Sequence, residues 1–83
     1  MTLAVVFRET ALRTLARIRR EDAGFFACAR RAIAALPREP RPDAAVPWGT
    51  TGIYRLRVGR IRVLYEIDED AAAIYIINVG QLA

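Results

Sequence analysis

The sequence predicts an α+β domain, in which two amino-terminal helices pack on a twisted, mainly antiparallel four-stranded sheet in the order β-α-α-β-β-β. Two segments, residues 10–20 and 25–36, repeat apolar residues at three- and four-residue spacing, as amphipathic helices do. Residues 52–67 alternate apolar and charged positions on both sides of Gly59, which is the pattern of a hairpin with a tight turn. Residues 72–79 are almost continuously apolar, which is typical of a central strand covered on both faces.

Residues 3–7 predict a short first strand, because they are mostly β-branched or aromatic. Arg8-Glu9-Thr10 then supplies residue types that begin a helix. The arginines of this first helix, which should run from Thr10 to about Arg20, lie largely away from its apolar stripe. We therefore expect a half-buried helix with a basic outer face, whose apolar positions are Ala11, Leu12, Leu15 and Ile18.

A second helix is predicted from the acidic pair Glu21-Asp22 to Leu36. Acidic residues in a first turn complement the helix dipole, and Pro37 disfavours helical geometry at the residue before it. Cys28 lies within this helix, and the chain has no histidine that could activate its thiol. We expect Cys28 to be a small buried or half-buried side chain rather than a nucleophile. The apolar face comprises Phe25, Ala29, Ile33 and Leu36.

Residues 37–48 predict an extended connection rather than a regular element, because prolines interrupt it four times. It ends at Trp48, the single tryptophan of the chain. We expect the indole to anchor this segment against the sheet or the helices. The alternative is that Trp48 stacks on a nucleic-acid base.

The hairpin of residues 52–67 is predicted to have one apolar and one cationic face. Arg55 and Arg57 point to the same side of its first strand, and Arg62 lies across the turn, where an antiparallel register could bring it near them. Guanidinium groups on one open face repel one another unless an anion lies between them. The pattern favours a phosphate-binding surface for single-stranded RNA. The alternative is that the arginines only solvate an exposed sheet. The apolar side comprises Tyr54, Leu56 and Val58.

The basic residues of the chain are all arginine: there are thirteen, with no lysine or histidine, and the net charge is +4. Arginine keeps its charge and donates two parallel hydrogen bonds to phosphate oxygens. This composition fits an anionic partner such as nucleic acid or an acidic peptide. A general compositional bias toward alanine and arginine is the alternative source of the excess.

Several kinds of site and location are not expected. One cysteine excludes an internal disulfide, and with no histidine the chain has no zinc-ligand pattern, so we expect neither a metal nor a cofactor. The apolar start is too short for a signal sequence, and no run reaches the ~20 apolar residues of a membrane span. We expect a cytoplasmic protein without membrane contact, folded as one domain over residues 1–83.

The chemistry that these residues could supply is narrow. Arginines can stabilise the negative charge of a transition state, with a tyrosine or carboxylate moving protons. RNA carries its own nucleophile in the 2′-hydroxyl group, so an enzyme could act by orienting this group and neutralising the phosphate. The arginine pattern is compatible with such an enzyme without being specific to it.

Residues 52–68 read GIYRLRVGRIRVLYEID, and residues 74–80 read IYIINVG. These two motifs resemble the hairpin and the last strand of the RelE/ParE superfamily, the toxins of type II toxin–antitoxin systems. The two predicted helices and the proline-bearing connection also fit that family, so the resemblance covers nearly the whole chain. It implies a compact antiparallel sheet with two amino-terminal helices.

The resemblance also implies function. RelE-like members are mRNA interferases, endoribonucleases that cut messenger RNA on the ribosome without a metal ion and so inhibit translation. By position, Arg55 and Arg57 would bind or activate the RNA, and Arg62 would stabilise the scissile phosphate. We assign catalysis to these three arginines and RNA binding to the same three with Arg60, whereas Tyr65 would be structural. A cognate antitoxin would neutralise the toxin, which would contact operator DNA only through that antitoxin.

The sequence departs from the family pattern after Gly80. The family continues there with histidine or lysine and then arginine, followed later by a tyrosine, whereas Gln81 and Leu82 stand at the first two of these positions. Because losing one oriented transition-state donor costs about 10²–10³ in rate, two alternatives stay open. The chain could be a ParE-like inhibitor of DNA gyrase without nuclease activity. It could also be a catalytically weakened homologue that mainly binds an antitoxin.

Overall fold

The computed structural model describes residues 2–82, which form two helices packed on a mixed sheet. The described strands have the spatial order β1-β5-β4-β3-β2, in which β1 runs parallel to β5 and all other neighbours are antiparallel. The predicted α+β fold class is confirmed. The difference is a short strand within the proline-bearing connection, which makes the sheet five-stranded. The elements are β1 (Ala4–Phe7), α1 (Glu9–Glu21), α2 (Ala23–Ala35), β2 (Ala45–Pro47), β3 (Ile53–Val58), β4 (Ile61–Asp68) and β5 (Ala73–Gln81).

Asp22 separates the two helices and begins the second. Its Oδ1 accepts a hydrogen bond of 3.0 Å from the backbone N–H of Phe25, which satisfies one of the free donors in the first turn of α2. The sequence predicts that Glu21 and Asp22 begin the second helix together. Instead, Glu21 is the last residue of α1, and only Asp22 caps α2. Neither described helix is long and apolar enough to cross a membrane.

The core lies between the helices and one face of the sheet. Every second residue of β4 is buried on that face, as the alternation of the sequence predicts for a half-buried strand. The helices cover this face with the apolar stripes that their spacing predicts, except that Leu12 is wrongly predicted there and is 53% exposed, and they leave the opposite face open. The main contributors are Ala11, Leu15, Ile18, Ala29, Ile33 and Leu36 from the helices and Ile61, Val63, Tyr65, Ile67, Ile74, Ile76 and Val79 from the sheet.

A β-bulge explains why β5 reads as continuously apolar. Leu64 pairs with Asn78, but the next residue, Tyr65, pairs with Ile76, so Ile77 is the extra residue on β5. The extra residue shifts by one position the alternation of side chains between the two faces of the sheet, so apolar residues follow one another along β5. The predicted central position of this strand is confirmed, since it lies between β1 and β4. The prediction that it is covered on both faces is wrong, because Asn78 is exposed on the face without helices.

Two tyrosines and an arginine hold the connection between α2 and β2 against the hairpin. Tyr65 is 0% exposed, and its hydroxyl donates a 2.6 Å hydrogen bond to the carbonyl of Pro40. Burial raises the pKa of Tyr65 to about 12. Arg41 Nε donates to the hydroxyl of Tyr54 at 3.0 Å and Nη2 pairs with Glu69 at 2.7 Å, and these two bonds raise the pKa of Arg41. The predicted structural role of Tyr65 agrees with this burial and hydrogen bond.

Candidate nucleic-acid interface

The turn of the β3–β4 hairpin sets which arginines face one another. Val58 pairs with Ile61, which leaves Gly59 and Arg60 as a two-residue turn. Gly59 has a φ of 59°, which suits the first central position of a type II′ turn and which a residue with a side chain rarely adopts. This register makes Arg57 and Arg62 direct cross-strand partners.

Three arginines lie on the sheet face without helices, and we call this set the arginine face: Arg55, Arg57 and Arg62. Arg57 and Arg62 are exposed, whereas Arg55 is half-buried and pairs across the hairpin with Leu64. Opposite side chains on neighbouring strands have Cβ atoms about 4.5–5.5 Å apart, so the guanidinium groups of Arg57 and Arg62 share one area of surface. The predicted grouping of these three arginines is thus present in the fold.

A pocket of about 290 Å³ opens on this face, and we call it the arginine pocket. Arg55 and Arg62 supply its cationic groups, and Gly80 lies at its β5 side. A Cβ atom at position 80 would lie 3.2 Å from Arg62 Nη2, so glycine leaves room for the guanidinium to lie across β5. The lining residues are Trp48, Arg55, Arg62, Leu64, Asn78 and Gly80.

The arginine face has no acidic partner within residues 2–82. The ion pairs of this part of the chain lie elsewhere, and join Arg13 to Glu9, Arg17 to Glu21 and Arg41 to Glu69. Neighbouring cations without counter-charges repel one another, and an anion placed between them removes that repulsion. The geometry and the charge therefore favour a phosphate at this pocket.

Trp48 contacts the sheet through Arg55. The guanidinium carbon of Arg55 lies 4.2 Å from the centre of the indole ring, in a cation–π contact. Trp48 nevertheless keeps 48% of its surface exposed. The predicted anchoring is therefore only partial, because the ring lies on the face without helices rather than in the core.

Arg60 does not belong to the arginine pocket. It lies in the turn, and its Nε donates a 3.3 Å hydrogen bond to the carbonyl of Leu82. Arg60 instead lines a groove of about 780 Å³ between α2 and the hairpin tip, which we call the hairpin groove. The predicted RNA-binding role of Arg60 stays a prediction, with no support from this placement.

Two predictions of burial fail at the hairpin groove. Val58 is 44% exposed, because it lies at the end of β3 where no helix residue covers it completely. Cys28 is exposed rather than buried or half-buried, and Arg31 Nη2 donates to its Sγ at 3.3 Å. The spacing of α2 explains this, because Cys28 directly precedes the buried Ala29 and points off the core-facing stripe.

The chemical capacity of the arginine pocket is charge stabilisation. None of its six lining residues is a carboxylate, a tyrosine or a histidine, so no side chain in the lining is placed to transfer a proton. Within residues 2–82, no three histidine, cysteine or acidic side chains come together as metal ligands would. The residues present can bind a phosphate and stabilise added negative charge on it.

Sequence reasoning missed Asn78 and Gly80 as lining residues. Both residues flank the buried Val79, so the alternation of side chains along a strand could have placed them on the opposite face. The apolar run before these two residues obscured this alternation, because such a run favours a strand that is buried on both faces.

Comparison with known proteins identifies the family. Residues 5–81 match the model of the ParE toxin of the type II toxin–antitoxin system parDE. The structure of the toxin–antitoxin complex RelBE2 from Mycobacterium tuberculosis is similar, with a TM-score of 0.79 and 26% identity over 98% of this chain and 99% of that chain. A search of curated protein sequences finds no match.

Two further structures share the fold at lower identity. The isolated RelE toxin of Escherichia coli has a TM-score of 0.83 and 17% identity, over 98% of this chain and 85% of that chain. The YoeB/ParE toxin from Agrobacterium tumefaciens has a TM-score of 0.81 and 15% identity, over 98% of this chain and 100% of that chain. Since the family model covers nearly the whole sequence, the chain belongs to the ParE toxin family of type II toxin–antitoxin systems, within the RelE/ParE superfamily.

Proposed function

We propose that this toxin is an endoribonuclease that cuts messenger RNA on the ribosome without a metal ion. The observation that supports this activity is the arginine face, where Arg55 and Arg62 line one pocket and Arg57 lies opposite Arg62, without an acidic partner in residues 2–82. An RNA phosphate placed in the pocket would accept hydrogen bonds from guanidinium groups on two neighbouring strands. The proposed substrate class is single-stranded RNA.

The proposed reaction uses the nucleophile that RNA carries. The 2′-oxygen attacks the adjacent phosphorus, the bond from phosphorus to the 5′-oxygen breaks, and the products are a 2′,3′-cyclic phosphate and a 5′-hydroxyl group. The 2′-hydroxyl loses its proton, and the departing 5′-oxygen gains one. Arg62 and Arg55 stabilise the charge that builds on the non-bridging oxygens. Because the lining has no group that transfers protons, solvent or the ribosome carries them in this proposal.

Mapping of RNA ends after induction tests this function. The expected result is a set of new 5′-hydroxyl ends within translated codons, present with ribosomes and absent when purified RNA is treated without them. Growth arrest with intact messenger RNA would contradict the proposal.

A second candidate is a non-enzymatic inhibitor of DNA gyrase. The absence of a proton-transferring side chain from the lining of the arginine pocket favours it, as do Gln81 and Leu82 at positions where the superfamily motif has a basic pair. Gyrase supercoiling assays distinguish the two functions, because only this candidate predicts inhibition by purified toxin. A chain that neither cuts RNA, inhibits gyrase nor arrests growth would be a weakened homologue that mainly binds its antitoxin.

The proposed protein partner is a cognate antitoxin, since the RelBE2 structure is that of a toxin–antitoxin complex. We assign its contact to an apolar groove of about 520 Å³ between β1, α1 and α2, which we call the helix groove. Its charged lining residues are Arg19 and Arg30, with no acid, whereas the hairpin groove also contains Asp22 and Glu39. An acidic antitoxin segment complements a toxin of net charge +4 best at the helix groove.

Leu12→Glu should weaken antitoxin binding by about tenfold or more, because it places an anion in the apolar lining of the helix groove. Leu12 is 53% exposed, so the fold should keep its melting temperature. Val58→Glu is the matched control, since Val58 is 44% exposed but lines the hairpin groove. Titration calorimetry with the adjacent-gene antitoxin measures both, and a loss confined to Val58→Glu would move the contact to the hairpin groove.

A further inference from the structure

Trp48 is an exposed aromatic residue beside a cationic pocket. It keeps 48% of its surface accessible, although its indole is the largest apolar group among the exposed residues. Its backbone N–H donates a 2.8 Å hydrogen bond to the carbonyl of Ile53, which fixes the residue at the end of β2. Tryptophan rings with one apolar side and one accessible side are enriched at binding interfaces.

One side of the indole is already occupied by an arginine. The guanidinium carbon of Arg55 lies 4.2 Å from the ring centre, and both residues line the arginine pocket with Arg62. Because Trp48 lines the arginine pocket, part of its ring lies next to the place where a phosphate would bind. A planar group stacked on that part would continue a guanidinium–indole stack.

We propose that Trp48 is a nucleobase-stacking residue, which binds an unpaired base of the RNA whose phosphate lies in the arginine pocket. This inference rests on the proposed RNA-cleaving function and names Trp48 as a substrate-positioning residue of that site. A base in a duplex has both faces covered by neighbours, so the ring selects single-stranded RNA. Stacking of this kind tolerates any base, because every base has a π-face.

The same contact also orders Arg55. A guanidinium that stacks on an indole loses freedom before the substrate arrives, so less conformational entropy is lost when it binds a phosphate. Trp48 thus contributes to RNA binding directly through a base and indirectly through Arg55.

Intrinsic fluorescence tests the inference, because Trp48 is the single tryptophan of the chain. Titration of the full chain with a six-nucleotide oligoadenylate RNA should quench the indole emission, with a midpoint that matches binding measured by anisotropy of the labelled oligonucleotide. Trp48→Ala should weaken RNA binding by about 5-fold to 150-fold, the range found for removal of one stacking aromatic. Trp48→Phe should retain most of the affinity, because it keeps an aromatic face.

Inorganic polyphosphate separates stacking from phosphate binding. It carries charge without bases, so Trp48→Ala should weaken its binding much less than that of RNA. Val58→Ala, which trims an exposed apolar residue of the hairpin groove, should change neither affinity. An equal loss for RNA and polyphosphate would overturn the stacking role and reduce Trp48 to a residue that positions Arg55.

The two proposals fail in different ways. If the wild-type chain does not bind the oligonucleotide, this inference fails, whereas the proposed ribonuclease function is judged separately by cleavage of messenger RNA on the ribosome. If RNA binds with the salt dependence expected for phosphate contacts, but without quenching and with unchanged affinity in Trp48→Ala, only the role of Trp48 is overturned. Wild-type fluorescence keeps the test valid should a variant fold poorly.

Discussion

Arg62→Ala should lower the rate of messenger RNA cleavage on the ribosome by about 10²–10³, the loss seen when one oriented transition-state donor is removed. Arg62 lines the arginine pocket, lies opposite Arg57 and extends over Gly80. No other described side chain occupies that place, so its loss should not be compensated. The rate of appearance of 5′-hydroxyl ends in a reconstituted translation system measures the effect.

Arg13→Ala is the matched control, because it removes the same charge from a residue of α1 whose side chain is 74% exposed. It should leave both cleavage and melting temperature unchanged. Arg62→Ala should also reduce the slope of log K for RNA against log salt by about 0.7, as expected for loss of one phosphate contact to a single strand. Equal activity of the two variants would remove Arg62 from the reaction.

Arg62→Lys separates charge from geometry. Lysine keeps the charge but lacks the planar fork that donates two parallel hydrogen bonds to a phosphate. We expect an intermediate cleavage rate and a salt dependence close to that of the wild type. Full activity would mean that only a positive charge is required at this position.

The fold could be predicted from the sequence because its elements obey simple periodicities. The three- and four-residue spacing of α1 predicts the stripe that Leu15 and Ile18 bury, and the alternation around Gly59 predicts the hairpin and its turn. The same alternation predicts that Arg55, Arg57 and Arg62 lie on one face. These features depend on local geometry, which a single sequence contains.

The composition of the pocket could not be predicted in the same way. Gly80 and Asn78 reach the site only because β5 pairs with β4, and the bulge at Ile77 breaks the period by which their side could have been assigned. The prediction that Val58 is buried at the hairpin tip is wrong for a related reason. Val58 lies on the apolar side of the alternating pattern, but the helices do not cover it fully. Long-range pairing and the extent of helix coverage decide these positions.

Tyr65 should make the stability of this toxin sensitive to alkaline pH. Its pKa is about 12 in the folded protein, because the phenol is buried, against about 10 in the unfolded chain. Below pH 10, Tyr65 keeps its proton in both the folded and the unfolded state, and its full contribution to the free energy of unfolding is present. Above pH 10 the tyrosine ionises first in the unfolded state, so the free energy of unfolding falls until the pH passes the pKa of the folded state. The free energy of unfolding should drop by about 2 kcal/mol from this group by pH 12, and by about 2.7 kcal/mol well above it.

Tyr65→Phe separates this titration from the other alkaline effects. The variant should lose about 1–2 kcal/mol near neutral pH, because the carbonyl of Pro40 loses its 2.6 Å hydrogen bond. Its stability should then fall less than that of the wild type between pH 10 and pH 12, so the difference between the two free energies of unfolding, measured with urea at each pH, closes by about pH 12. A constant gap across that range would mean that the Tyr65 hydroxyl stays close to its ordinary pKa, and that its role is limited to the bond that holds the connection before β2.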